Sequence, residues 1–301
     1  MPRKKTARKS RKKSAKPKRD WSALRRWAFP TLALVSIAAL GAGLTIGVDQ
    51  LDDGARRVLS DEATAIELLS PSDLGEENWV RDEDLEILKN RVRAILDGSD
   101  PLDIRPLKAT SDMLARSGWF RSAPRVERIG QHTIRITGAW RKPAAVVRSG
   151  GRDHLISWEG MPMPPVFAPG GSQAPIILNA GITSIEPDPE TRYARPWPGD
   201  DVRAALDLLK LFAFKPYRNQ IAAIDVGGLN RGGSIVLITD LETRVVWGGK
   251  PGAFRAGEIG DDEKLARLDT YFARDGRIDG GYDGIEIQGQ TILIRRADPE
   301  P

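Results

Sequence analysis

His132 and His154 are the only histidines in a chain with no cysteine. Neither sits in an H-E-x-x-H pattern, and without thiolates no zinc set can be assembled from the usual ligands. A lone histidine beside a turn is more often a surface residue than a base or ligand. Outside the N-terminal tail no S-x-x-K occurs, which counts against penicillin-binding chemistry. Gly227-Gly-Leu-Asn-Arg-Gly-Gly-Ser234 has the glycines of a phosphate loop. It carries Gly233 where such a loop needs lysine, and a strand-like run follows it, so it reads as a hairpin connection. No carboxylate pair stands out as glycosidase-like. The residues therefore imply no catalytic group, cofactor, metal site or small-molecule substrate. What remains is backbone chemistry. Gly284-Ile-Glu-Ile-Gln288 and Thr291-Ile-Leu-Ile-Arg295 are β-branched, apolar runs near the end of the sequence, with Gly289 between them. No later segment is long enough to cover the second run. Its free N–H and C=O groups could accept a strand from another protein. The candidate partner-binding residues are Ile285, Ile287, Thr291, Ile292, Leu293, Ile294, Arg295 and Arg296. Leu293→Pro would block such pairing if the Leu293 N–H points outward.

The elements that must position this edge read as follows. Thr64–Leu69 is a short candidate strand. Asp82–Asp97 is a helix, with Leu85, Leu88, Val92 and Ile95 at a 3.6-residue period, Asp82 as cap and Gly98 as stop. Leu107–Ser117 is a second helix ended by Gly118. Arg125–Ile129 and Thr133–Thr137 alternate polar and apolar residues around Gly130-Gln131-His132, a hairpin signal. Met161–Pro165, Ala168–Gly171 and Asp188–Gly199 are rich in Pro and Gly and read as loops. Asp200 caps a helix through Phe212, with Val202, Ala205, Leu206 and Leu209 inward. Strands follow at Ile221–Val226, Ser234–Thr239 and Thr243–Trp247. A last helix starts at Asp261, with Leu265, Leu268 and Phe272 inward and Gly276 at its end.

Charge divides the chain unevenly. The whole sequence has 46 basic and 41 acidic residues; the first 26 positions hold 13 of the former and one of the latter, so 33 and 40 remain. The body is mildly acidic and a poor match for specific nucleic-acid binding. The tail, residues 1–26, has no hydrophobic period and reads as disordered, with contact to anionic lipid as its sharpest use. Trp27–Val48 is uncharged for 22 residues, which as a helix would span roughly 33 Å. It predicts one transmembrane helix, with the tail in the cytoplasm and the body outside. A cleaved signal peptide is the competing reading, against which the length of the run counts. Ala39, Gly43 and Gly47 form a row of small residues that could pack against another span.

Three features together resemble the bacterial division family FtsQ, also called DivIB. One is the order of basic tail, span and β-α-α-β-β module. Another is Ser117-Gly-Trp-Phe-Arg-Ser-Ala-Pro-Arg-Val-Glu-Arg-Ile129, followed by Thr133-Ile-Arg-Ile-Thr137, Trp140-Arg-Lys-Pro-Ala-Ala-Val-Val147 and His154-Leu-Ile-Ser-Trp-Glu-Gly160. The last is Arg244-Val-Val-Trp-Gly-Gly249 with Lys264-Leu265 and a closing hairpin. Trp140-Arg-Lys departs from the family's Glu-Arg. The resemblance implies an α+β fold: a single transmembrane helix, a POTRA-like β-α-α-β-β domain, and a mixed or antiparallel β-domain with flanking helices. The expected divisions are a tail at 1–26, the span at 27–48, a linker at 49–61, the POTRA-like domain at 62–148, the β-domain at 149–296 and a polar end at 297–301.

The resemblance further implies a non-enzymatic septum-assembly protein of the inner membrane, placed at the division site. It would scaffold divisome membrane proteins by strand addition, its partners being FtsB- and FtsL-like small membrane proteins. Two alternatives stay open, a membrane-anchored cell-envelope enzyme and a POTRA-bearing accessory of protein export.

Overall fold

The computed structural model describes residues 65–100, 102–129, 132–182, 191–253 and 255–295. All of these described residues belong to one compact unit. The expected transmembrane helix at Trp27–Val48, with Ala39, Gly43 and Gly47, lies outside the described residues, as do the tail and linker. Among the described residues no helix is long and apolar enough to cross a membrane. The expected fold class is corrected accordingly, to α+β with two sheets.

The smaller sheet has three strands, β1 (Ala65–Leu68), β2 (Arg125–Ile129) and β3 (Thr133–Thr137), in the order β1-β3-β2. β1 runs parallel to β3, and β2 runs antiparallel to it. Between β1 and β2 come helices α1 (Asp82–Leu96) and α2 (Arg105–Arg116), which completes a β-α-α-β-β order. Leu85, Leu88 and Val92 are the buried positions of α1, one face of a 3.6-residue repeat. Asp82, Glu83 and Asp84 occupy its first turn, where carboxylates meet the positive end of the helix dipole. Asp82 is not the cap as expected. Arg81 holds that place and makes no side-chain capping bond. The helix stops where Gly98 takes φ +69°.

Trp79, Trp119 and Trp140 close this core. The first two stack at 5.8 Å, and Trp140 meets both edge-on at 6.2 Å. The Trp140 indole N–H donates to the Leu69 carbonyl at 2.9 Å, so a buried ring keeps its polar atom paired.

The larger sheet has nine strands: β4 (Pro143–Ser149), β5 (Arg152–Ser157), β6 (Pro162–Phe167), β7 (Ile176–Leu178), β8 (Ile221–Asp225), β9 (Ile235–Thr239), β10 (Arg244–Gly248), β11 (Gly284–Glu286) and β12 (Leu293–Arg295). Their order is β12-β11-β10-β9-β8-β7-β4-β5-β6. Helices α3 (Asp200–Leu211) and α4 (Asp261–Asp275) contribute Leu206, Leu209 and Leu268 to a core with Val147, Ile177, Leu237 and Trp247. Val146, Leu155 and Met163 belong instead to the core beneath α1 and α2. β4 is thus covered on both faces, which explains its unbroken apolar run at Ala144–Val147. Residues 138–142 carry the chain from the small sheet, which ends at Thr137, to the large one, which starts at Pro143.

Met161–Pro165 was expected to be a loop, yet most of it lies in β6. That strand is the outermost of its sheet, where a residue without an N–H loses no ladder bond on its free side. α4 turns Lys264, Leu268 and Tyr271 fully inward, with Leu265 and Phe272 only partly buried. The buried stripe is therefore one residue off the expected one, because Lys264 has a buried acidic partner in Glu258 at 3.3 Å.

Candidate partner-binding edge

The end of the nine-stranded sheet is built from β10, β11 and β12. β10 and β11 are parallel, with Val245 beside Ile285. β11 and β12 are antiparallel, with Gly284, Ile285 and Glu286 opposite Arg295, Ile294 and Leu293. The backbone directions follow from one bond. Ile287 N–H donates to the Val246 carbonyl at 3.1 Å, so Ile285 and Ile287 turn their backbone polar groups toward β10. Gly284 and Glu286 then face β12, and Arg295 and Leu293 face back to them. Ile294 is left with N–H and C=O groups pointing away from the sheet. The Leu293 N–H faces β11, so Leu293→Pro would break the sheet's own ladder. Ile294 is the position that carries the outward donor.

The side chains of β12 are all exposed, on both faces of the strand. Leu293 is 58% exposed and Ile294 44% exposed, the only core-type residues of this sheet end so open to solvent among the described residues of β10–β12. Arg295 and Thr291 are exposed, and Ile292 rests partly buried on the core. Ile285 and Ile287 are buried at 1% and 0%, so these two candidates hold the sheet together and cannot touch an added strand. Arg296 lies outside the described residues. On the outer face, Arg244, Val246, Glu286, Leu293 and Arg295 line a shallow groove of about 500 Å³. Gly284 forms part of its floor. A Cβ there would meet only ordinary van der Waals contacts, 3.4 Å from the Arg244 carbonyl and 3.6 Å from the Arg295 Cβ.

The opposite edge contrasts with this one. β6 carries Pro162, Pro164 and Pro165, which remove donors along it. In the small sheet, one outer strand, β2, carries Arg125, Glu127 and Arg128, a charged edge of the kind that discourages pairing, while the other, β1, carries only Glu67, paired with Arg135 at 2.9 Å. β12 has neither device within its three residues beyond the single Arg295.

The connection from β11 to β12 is not the tight turn at Gly289 that the sequence suggests. It runs from Ile287 to Ile292, and Gly289 bridges to Glu258 instead. A guanidinium from α4 holds it. Arg267 Nη1 donates to the carbonyls of Ile287 at 3.1 Å and Gly289 at 2.6 Å. Its Nη2 donates to the Gln290 carbonyl at 2.9 Å and to Glu263 Oε1 at 3.1 Å. The sequence reading missed Arg267. Its only signal was a basic residue three positions after Lys264 on a helix face that turns inward.

The other residues weighed for chemistry are dispersed. His132 lies in the turn before β3, its carbonyl accepting from Ala65 N–H at 2.7 Å. His154 is on β5, with its ring 5.7 Å from Trp197, and burial pushes its imidazole below the usual histidine value. The glycine loop joins antiparallel β8 and β9. Its Gly232 and Gly233 carbonyls accept from Arg255, so the loop presents oxygen atoms to a cation rather than N–H groups to a phosphate. Among the described residues no cluster of three or more His, Cys, Asp or Glu side chains is placed to hold a metal ion.

No protein-family model matches the chain, and no curated protein matches it in sequence.

Proposed function

We propose that this protein is a non-enzymatic assembly protein that receives a β-strand from a partner along β12. On this reading it serves bacterial cell division in the manner of the FtsQ/DivIB family it resembles. Its partners are small division proteins of the membrane, FtsB- and FtsL-like, met on the outer side of the cytoplasmic membrane at the division site. The observation that carries the reading is the outward Ile294 backbone on an edge strand whose Leu293 and Ile294 side chains are half exposed. Backbone bonds would supply affinity, and alternate side chains would supply specificity. Inner-face partner residues would meet Ile294, and outer-face ones would lie over Leu293 and Val246 between Arg244, Glu286 and Arg295. That groove, where Arg244 and Arg295 are balanced by Asp283 and Glu286, suits an apolar side chain flanked by polar ones.

The test is a photo-crosslinking residue placed at Leu293 in cells, compared with one at Val166 on the proline-bearing edge. Adducts from Leu293 to a small membrane protein, with none from Val166, are expected. Equal adducts from both edges, or none from Leu293, would sink the reading.

A further inference from the structure

β12 has three residues, too few to be a stable edge by its own ladder. The six-residue connection before it cannot fix its register as a tight hairpin would. Two things seat it. One is Ile292, packed against the main core. The other is the Arg267 side chain, only 14% exposed, whose planar fork reaches three successive parts of the connection: the carbonyls of Ile287, Gly289 and Gln290. These oxygens lie on both sides of the glycine that would otherwise be the freest point of the link. Glu263, one turn earlier on α4, accepts from the same guanidinium and sets its orientation.

We propose that Arg267 is a positioning residue for partner binding: it pre-orders the open strand so that an incoming strand meets a fixed row of donors and acceptors. The inference rests on the strand-accepting reading above. An edge ordered in advance does not have to be ordered at the moment of binding, which is where much affinity is otherwise lost. The rigid fork fixes these bonds in one geometry, whereas a lysine ammonium offers three rotatable donors on a flexible stem and holds the same carbonyls less firmly.

The experiment uses the full chain with Arg267→Ala, Arg267→Lys and the Leu293 photo-crosslinker. Hydrogen exchange reports local order, and adduct yield in cells reports partner capture. In Arg267→Ala, exchange at Leu293 and Arg295, whose N–H groups face β11, should quicken about tenfold or more, while β8, β9 and β10 keep their protection. Adduct yield should fall about fivefold or more, and Arg267→Lys should fall between the two. Unchanged exchange at Leu293 and Arg295 would overturn the proposal, because the carbonyl bonds would not be what seats the strand. Faster exchange with undiminished adduct would overturn it too, since order in the edge would not matter to binding. Loss of protection throughout β8–β10 in Arg267→Ala, with Arg267→Lys folded and capturing normally, would make Arg267 a general fold residue and also refute the proposal. Absence of adduct in the wild-type chain is a different failure: it removes the strand-accepting reading itself.

Discussion

Leu88→Ala should destabilise the protein strongly, and the size of the effect follows from its surroundings. Leu88 is 1% exposed on the buried face of α1, in a core with Val80, Val92, Leu114 and Ile134. Truncation removes three carbons, about 2.4 kcal/mol of transfer free energy at roughly 0.8 kcal/mol each. The cavity left in a closely packed core adds to this, giving about 3–4 kcal/mol, within the range seen for buried Leu→Ala changes. For a unit of this size that lowers the melting temperature by roughly 6–16 °C. The neighbouring Lys89 would not serve as the control, since its side chain is only 25% exposed and pairs with Glu86 at 2.8 Å. Ile87 is better: it is apolar, adjacent and 51% exposed. Ile87→Ala should cost under about 1 kcal/mol, helped by the higher helix propensity of alanine. Thermal melts followed by circular dichroism decide the matter. Equal losses from Leu88→Ala and Ile87→Ala would refute the assignment of the buried face.

Other outcomes follow from single contacts. Gly118 takes φ +83°, and a Cβ there would stand 2.7 Å from the Tyr193 ring, so Gly118→Ala should cost about 1–3 kcal/mol in a denaturant melt. Burial keeps the His154 imidazole below its ordinary value of about 6.5, so the unfolded chain binds the extra proton first; stability should fall as pH drops from 7 through that value, and His154→Gln should flatten the fall. The Arg148 guanidinium, hydrogen-bonded at 2.8 Å, holds the buried Asp153 carboxylate below the usual carboxylate range. Its contribution should be complete above about pH 5, fade as pH falls through the lowered value, and vanish from the acid arm of the stability profile in Asp153→Asn.

The helices and most strands were legible because their signals are local. Leu85, Leu88 and Val92 fix a face by period alone, and Gly98 and Gly276 mark stops through the left-handed conformation they allow. What could not be read depends on neighbours. Pro162, Pro164 and Pro165 look like a loop until β6 is known to be an outer strand. Lys264 looks like a surface residue until Glu258 is found buried beside it. The candidate edge was only half legible. The apolar run of Thr291–Ile294 pointed to a strand at the sheet's edge, but it could not separate the core residues Ile285 and Ile287 from the exposed Leu293 and Ile294. Nor could it tell which N–H points outward, because that parity is set by the bond from Ile287 to Val246 across a parallel pair 41 residues apart in the chain. β7 was missed because a three-residue strand after a proline carries no period of its own.

The central claim is that the outward backbone of Ile294 pairs with a partner strand, and Ile294→Pro tests it most directly. The substitution removes one outward donor while leaving the Leu293 and Arg295 bonds to β11 in place. An unpaired partner carbonyl costs roughly 1–3 kcal/mol, or about 5- to 150-fold in affinity. The measurement is adduct yield from a photo-crosslinker at Leu293 in cells carrying Ile294→Pro, beside a melt of the purified protein. The account predicts a nearly unchanged melt with adduct reduced by at least about fivefold. A normally folded Ile294→Pro protein that still gives the wild-type adduct would contradict it.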